Sequence, residues 1–577
     1  MKRTGFSVLM LWGLFYLLNF NSLNAQDLAW AVQFSGTKAD DGRSVAVDPS
    51  GNVYTAGTFM GTVDFDPGPA SHTLTTLNSS TADVFICKLD PSGNFLWAVK
   101  LGGEADDGVY GIAVDDLGNV YSTGYFQGTA DFDPGSGYYP LHATGSGYYS
   151  DSFISKLDAS GNFVWAKQLG GTNTDEGRSI SLDASGNIYT TGTFYETADF
   201  DPGPGSYNLT SIGLTDIYIS KLDASGNFIW AKQIGGTTWD NSHSIRIDGA
   251  GNIYTAGFFT HTVDFDPGPG IHNLVTGSNE SVFISKLDAS GNFAWAKQLD
   301  GTFQNKDVGL AVDENGNTYT TASFFDSTDF DPGAGTNYLT SAGADDAFIC
   351  KLNASGNFVW AKKLGGDFYD ESSAITLDAS GNVYTTGFFY GMADFDPGPG
   401  TYNLTPAALL DIFISKLDTA GNFVWARQLG GAGFEYTNSI ALDPSGNVYT
   451  TGRFEGTADF DPGAAIYNLV SAGDYDIFVH KMSQNVTAIP PVISPDITVS
   501  PNPTTGKFMV TIPSLKEGEF TMKLISQSGL VVAEGNYYQS SKAGNYAMNI
   551  ASLPSGIYTL LIQLNNTVIA RKVVLSR

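Results

Sequence analysis

Seven times along the chain, the phrase Asp-Phe-Asp-Pro-Gly sets two carboxylates two residues apart in front of a turn. The pairs are Asp64 and Asp66, Asp131 and Asp133, Asp199 and Asp201, Asp264 and Asp266, Asp329 and Asp331, Asp394 and Asp396, and Asp459 and Asp461. A hard cation such as Ca2+ takes several carboxylate and carbonyl oxygens from one loop, so these acids are candidate ligands and Ca2+ is the one cofactor they suit. The same residues also have a structural use: the first Asp caps a strand end, the Phe packs inward and Asp-Pro-Gly turns the chain. The spacing is not that of an EF-hand loop, which favours the turn over the metal.

Other chemistry is sparse. The six histidines (His72, His142, His243, His261, His272 and His480) fall at unmatched places and form no metal-ligand spacing. His261 and His272 flank Asp264 and Asp266 in one copy only. There is no Gly-x-Ser-x-Gly, phosphate-binding loop or Cys-His arrangement. Carboxylate pairs are too many for one acid-base couple to stand out. No catalytic residue is assigned, and the chain is not expected to be an enzyme. The steps Phe194-Tyr195, Phe258-Phe259 and Phe324-Phe325 could stack on sugars, but such pairs more often fill the space between packed sheets.

What positions these residues is a repeat. Trp30, Trp97, Trp165, Trp230, Trp295, Trp360 and Trp425 are 65 to 68 residues apart, and Asp-Phe-Asp-Pro-Gly keeps the same spacing. Gly-Asn-x-Tyr recurs in the same register, ending at Tyr54, Tyr121, Tyr189, Tyr254, Tyr319, Tyr384 and Tyr449. Each copy holds four runs rich in Ile, Val, Tyr, Phe and Thr, such as SISLD, NIYTTGTF, DIYISKLD and NFIWAKQI, which read as strands. Asp-x-x-Gly-Asn joins the first run to the second and the third to the fourth, and makes a tight hairpin. Four antiparallel strands repeated seven times predict an all-β protein with a seven-bladed β-propeller. Blades are expected near 43–103, 109–171, 177–236, 242–301, 307–366, 372–431 and 438–482. The small-residue runs suit the crowded centre. With that phase the last blade lacks its Trp strand, and residues 28–34 would supply it, closing the ring and removing an open edge. The tight turns fall on one face. The long loops fall on the other and collect most of the acid, including Asp40, Asp41, Asp106, Asp107, Asp175, Glu176, Asp240, Asp370 and Glu371.

Residues 1–25 read as a signal peptide: Lys2 and Arg3, an apolar stretch from Phe6 to Leu18, then Ala25 before Gln26. The propeller is expected over 26–483, a Pro-rich linker over 484–496 and a small immunoglobulin-like β-sandwich over 497–577. Formal net charge is −30. The signal carries +2 and the tail from Ile493 carries +3, leaving −35 on residues 26–492. Such a body repels nucleic acid and anionic lipid. Cys87 and Cys350 occupy the same place in non-adjacent copies, too far apart to bridge, and read as small buried residues.

The repeats resemble the β-propeller repeats of many exported bacterial proteins. In the tail, three phrases occur in order: Pro501-Asn502-Pro503-Thr504-Thr505-Gly506, then Leu553-Pro554-Ser555-Gly556-Ile557-Tyr558, then Lys572-Val573-Val574. Together they resemble the type A sorting domain of type IX secretion, although Gln527-Ser528-Gly529 stands where that family often has Asp before Gly. The resemblance implies that Pro501, Asn502, Pro503, Gly506, Gly556, Tyr558 and Lys572 carry a secretion signal. It also implies that the partners are the secretion machinery and its sortase-like protease, which removes the domain. The body would then be released or attached to the outer surface of a Gram-negative bacterium, after passing through the periplasm.

These readings converge on an exported, non-enzymatic binding or adhesion scaffold for an extracellular glycan or protein. The alternative is a secreted enzyme acting on polysaccharide or another polymer.

Overall fold

The computed structural model describes residues 26–484 except 146, 277–279 and 304–306, and residues 498–576 except 513–517, 527–530, 540–543 and 565–566. The expected signal peptide, and the expected linker beyond Gln484, lie outside the described residues. Every described element is a strand, so no described helix is long and apolar enough to cross a membrane. Two compact units separate at Gln484.

In the larger unit, one repeat shows the plan. Glu176–Leu182 pairs with Ile188–Asp199, which pairs with Asn208–Leu222, which pairs with Phe228–Gly236, all antiparallel. Among the described residues this four-stranded set occurs seven times, once in each copy of the sequence repeat. In the last set the outer strand comes from the start of the chain. Asp27–Gly36 lies antiparallel to Asp476–Ser483, with Ala31 opposite His480 and Phe34 opposite Ile477. The first strands are Asp41–Val47, Gly108–Val114, Glu176–Leu182, Asp240–Ile247, Gly309–Val312, Asp370–Leu377 and Glu435–Leu442. Each touches the next, and the last touches the first, so they form a closed cycle.

The repeated phrases have direct physical work. In Asp48-Pro-Ser-Gly-Asn52-Val-Tyr54, the Asp48 Oδ1 accepts the N–H groups of Ser50 and Asn52, and Oδ2 accepts the Asn52 amide and the Tyr54 hydroxyl. One carboxylate thus ties the turn to the strand that follows, while Gly51 takes the left-handed φ of 83° that the turn requires. The Trp residues join neighbouring sets. Trp97 Nε1 donates to the Ala159 carbonyl, and its indole lies against Gly161 of the next repeat, where an added Cβ would come within 2.9 Å. The fill between sheets is aromatic and aliphatic: Phe59, Phe65 and Phe85 are wholly buried and meet with centroids 4.8–6.5 Å apart. Phe194, Phe258, Phe259 and Phe324 are buried in the same way, so these rings offer no face to a sugar. Cys87 and Cys350 are buried and free.

The smaller unit holds two antiparallel sheets. Thr498–Ser500, Lys507–Ile512 and Gly544–Asn549 form one; Val531–Gln539, Gly518–Ile525, Gly556–Leu564 and Thr567–Leu575 form the other. Phe508, Val510 and Met548 of the first pack with Met522, Leu524, Leu560, Ile562 and Val573 of the second in one core.

Candidate functional site

At the centre of the strand cycle lies a cavity of about 390 Å³, lined by all seven first strands or the residues leading into them. Its wall follows from the repeat. Thirteen residues after each Trp stand Arg43, Tyr110, Arg178, His243, Val308, Ser373 and Asn438, all on the cavity. The seven copies differ at this position. Most first strands carry a bulge beside it, as between Gly42 and Ser44 or Gly177 and Ser179, which re-aims the side chains toward the centre. Arg43 pairs with Asp41 at 2.9 Å, and Arg453 reaches the same carboxylate at 3.3 Å. Arg178 pairs with Glu176 at 2.5 Å and lies over the Tyr110 ring at 4.2 Å. His243 Nδ1 is 3.5 Å from the Asp307 carboxylate.

Three residues further along the strands, the copies carry Ala46, Ala113, Ser181, Arg246, Ala311, Thr376 and Ala441. Arg246 alone is long and charged. It donates to the Ile245 carbonyl at 2.8 Å and has no carboxylate within ion-pairing distance among the described residues. Burial pushes its guanidinium below the usual arginine range.

The fourteen acids of Asp-Phe-Asp-Pro-Gly lie in seven separate loops. In each, the first Asp turns inward to the backbone: Asp64 Oδ1 accepts the N–H groups of Asp66 and His72, and Asp131, Asp199, Asp264, Asp329, Asp394 and Asp459 do the same in their loops. The second Asp accepts the N–H of the residue two further on, as Asp66 does from Gly68 and Asp133 from Gly135. The Phe between them is buried. Among the described residues no three His, Cys, Asp or Glu side chains gather as a metal would need. This arrangement is that of a capped turn.

Of the other acids that the sequence reading placed on the open loop face, Asp106 is exposed and Glu176 half-buried, but most of the rest depart from it. Asp40, Asp41, Asp107, Asp175, Asp240, Asp370 and Glu371 are buried. The reason lies in the backbone they hold. Asp107 accepts the Gly103 N–H at 2.7 Å and the Gln127 N–H at 3.1 Å, and Asp175 and Asp240 repeat the pattern. Each faces a second buried acid: Asp83 beside Asp107, Asp151 beside Asp175, Asp216 beside Asp240, Asp346 beside Asp370, Asp411 beside Glu435, and Asp476 beside Asp40. At Gly102 the approach leaves no room for a side chain, since a Cβ there would lie 2.8 Å from an oxygen of each acid, whereas the first copy has Ser35 at this place, hydrogen-bonded to Asp476. Burial, followed by the neighbouring carboxylate, pushes Asp40, Asp107, Asp175, Asp370 and Glu435 up to about 8 and Asp240 to about 7. Lys100 and Lys363 neutralise the second acid in two sets, each at 2.9 Å, while Gln168, Gln233 and Gln428 donate to it in three others. The fourth copy has neutral Ser281 and Asn305 at the two positions, so both acids are absent together.

In the smaller unit the three phrases of the tail converge. The Asn502 amide donates to the Lys572 carbonyl at 2.6 Å, and its Oδ1 accepts the Val574 N–H at 2.8 Å. Thr504 extends the contact, donating its N–H to the Val574 carbonyl and accepting that of Ser576. Gly506 takes a φ of 134° against Ala551, and the Tyr558 hydroxyl donates to the Pro554 carbonyl at 2.6 Å. Pro501 and Pro503 flank Asn502, and Gly556 begins the strand paired with the last, opposite Leu575.

The β-propeller repeat family matches residues 29–58, 96–128, 164–193 and 424–453. The secretion system C-terminal sorting domain matches residues 498–576. A sperm-tail PG-rich repeat matches 201–233, within one propeller repeat. An uncharacterized WD repeat-containing protein of Acanthamoeba polyphaga mimivirus is 24% identical over 500 residues, covering 74% of this chain and 36% of that protein. Regulatory protein FlaEY of Caulobacter vibrioides is 22% identical over 425 residues, covering 70% and 41%. The chain therefore spans about two fifths of the length of these curated relatives. The solved structure of U3-55K aligns at a TM-score of 0.39 with 10% identity, over 79% of this chain and 99% of that one. The chain carries β-propeller repeats followed by a sorting domain that directs its export by type IX secretion to the cell surface or extracellular space.

Proposed function

We propose that this exported chain is a non-enzymatic binding protein whose ligand site is the central cavity. One observation carries the reading. Residues 26–483 contain five arginines in a body of net charge −35, and three of them, Arg43, Arg178 and Arg246, line this cavity. A fourth, Arg453, reaches Asp41 beside Arg43. Cations concentrated in one concave place, at a position where the repeats differ, favour recognition over ring-building, which the repeated residues already accomplish. Glycan and protein arrays probed with the purified full-length chain test this, with Ser373→Trp as a plug at the cavity wall. Array binding that the plug abolishes supports the cavity. Binding that survives it refutes the cavity as the site.

A second reading, a secreted enzyme acting on polysaccharide, is favoured by His243 and Asp307, an acid-base couple on the same wall. Polymer turnover lost in His243→Ala would select it.

A further inference from the structure

We infer that the central cavity takes a small hydroxylated carboxylate of the sugar-acid class, with Arg246 as the ion-pairing anchor for its carboxylate. This rests on the cavity being the ligand site, and adds the chemistry of what enters it.

The argument begins with which cations are already satisfied. Asp41 holds Arg43 and Glu176 holds Arg178. Asp307, the other acid on the wall, lies against His243. Among the described residues, Arg246 has the Ile245 carbonyl as its one hydrogen-bond partner and no paired carboxylate. A half-buried guanidinium with no carboxylate among the described residues to pair with is less favourable in the empty protein than a paired one, and an anion that reaches it removes that cost. The other six copies clear the space in front of it, because Ala46, Ala113, Ser181, Ala311, Thr376 and Ala441 stand at its level. A planar guanidinium fork suits a carboxylate, which it can hold through two parallel hydrogen bonds.

Charge and wall chemistry narrow the class. A body of −35 repels polyanions, so one negative charge is better accepted than a polyphosphate or a nucleic acid. Ser44, Ser179, Ser439 and Asn438 are among the residues lining the cavity, alongside apolar Val45, Ile112 and Ile440, and although they also hydrogen-bond between strands, their remaining donor or acceptor capacity can meet hydroxyl groups. At about 390 Å³ the space falls at the small end of ligand sites, enough for a compact sugar acid.

Calorimetric titration of the full-length chain with glucuronate, glucose and inorganic phosphate tests the inference, in the wild type and in Arg246→Gln. Glucuronate is expected to bind, with glucose and phosphate each at least ~10-fold weaker, the equivalent of one net charge-assisted contact. Arg246→Gln should weaken glucuronate by at least ~10-fold and leave glucose unchanged. The variant should also melt no lower than the wild type, since the substitution removes a half-buried charge that no carboxylate among the described residues pairs with. Absence of glucuronate binding, phosphate binding as tight as glucuronate, or glucuronate binding indifferent to Arg246→Gln would each overturn it. The two readings fail separately. An array ligand lost in Ser373→Trp but unaffected by Arg246→Gln leaves the cavity as the site and removes the sugar acid. A ligand unaffected by both removes the cavity itself.

Discussion

Asp107 and its counterparts are acids that keep their proton because the folded chain gives them little water and a second carboxylate for a neighbour. Raised from 3.8 to about 8, such a group is protonated in the folded protein at a pH where the unfolded chain has already lost the proton. The folded state then binds more protons, so this contribution to stability is complete below about pH 4 and is lost as pH rises through about 8. The melting temperature of the body should therefore fall between about pH 5 and about pH 8. Asp107→Asn keeps a hydrogen-bonding side chain without the ionisation, and should flatten this dependence in a calorimetric pH series. A slope unchanged in that variant would show that the pair does not titrate in this range. At this scale the sequence was least legible. Repeated residues drew the reading toward Asp64 and its equivalents. The cavity is lined by residues that break the repeat, among them Arg43, Tyr110, Arg178 and His243. Placing them requires the bulges in the first strands, which shift the alternation of faces and leave no mark in the residue types. Burial of Asp107 was hidden for a similar reason, since an acid after Gly-Gly reads as a loop residue until the backbone amides it caps are seen.

The strands and turns were far more legible. Alternating β-branched and aromatic runs, and Asp-x-x-Gly-Asn phrases whose hydrogen bonds are local, need nothing beyond their own few residues to be read. Loop chemistry at this scale is testable. Asp64→Ala removes the acceptor for the Asp66 and His72 amides and should cost about 1 kcal/mol, as loss of a cap does. If capping is the whole role of these loops, chelator and added Ca2+ leave the melting temperature unchanged. A rise with Ca2+ that Asp64→Ala diminishes would instead restore the metal reading. Between sheets, Trp97→Ala should cost about 2–3 kcal/mol, below the range for a fully buried Trp because its ring is partly exposed. In the tail, Asn502→Ala removes two of the bonds that tie the first sorting phrase to the last, leaving those of Thr504. Secreted protein should fall while the periplasmic pool rises, measured by fractionation and blotting.

At the level of the whole molecule, the division at Gln484 predicts that a chain truncated there folds and stays soluble but remains in the periplasm. Its appearance outside the cell at normal levels would refute the role of the sorting domain. The larger unit is less divisible. The strand Asp27–Gly36 completes a four-stranded set whose other three strands begin about 400 residues later, with Asp27 opposite Ser483. Every other set can assemble from about 65 consecutive residues, whereas this one must wait until nearly the whole body has been synthesised. Until then the sheet beginning at Glu435 has an open edge and the first strand has only its short pairing with Thr62–Asp64. Ring closure is thus the step of highest contact order and should limit the refolding rate. A circular permutant that joins residue 484 to residue 27 through a short linker, with new ends in the 237–239 loop, turns that step into a hairpin. Its refolding should be faster by an order of magnitude or more with little change in equilibrium stability. The native order of the chain thus makes the two ends of the body partners, so that a chain missing either its first strand or its last cannot close the ring.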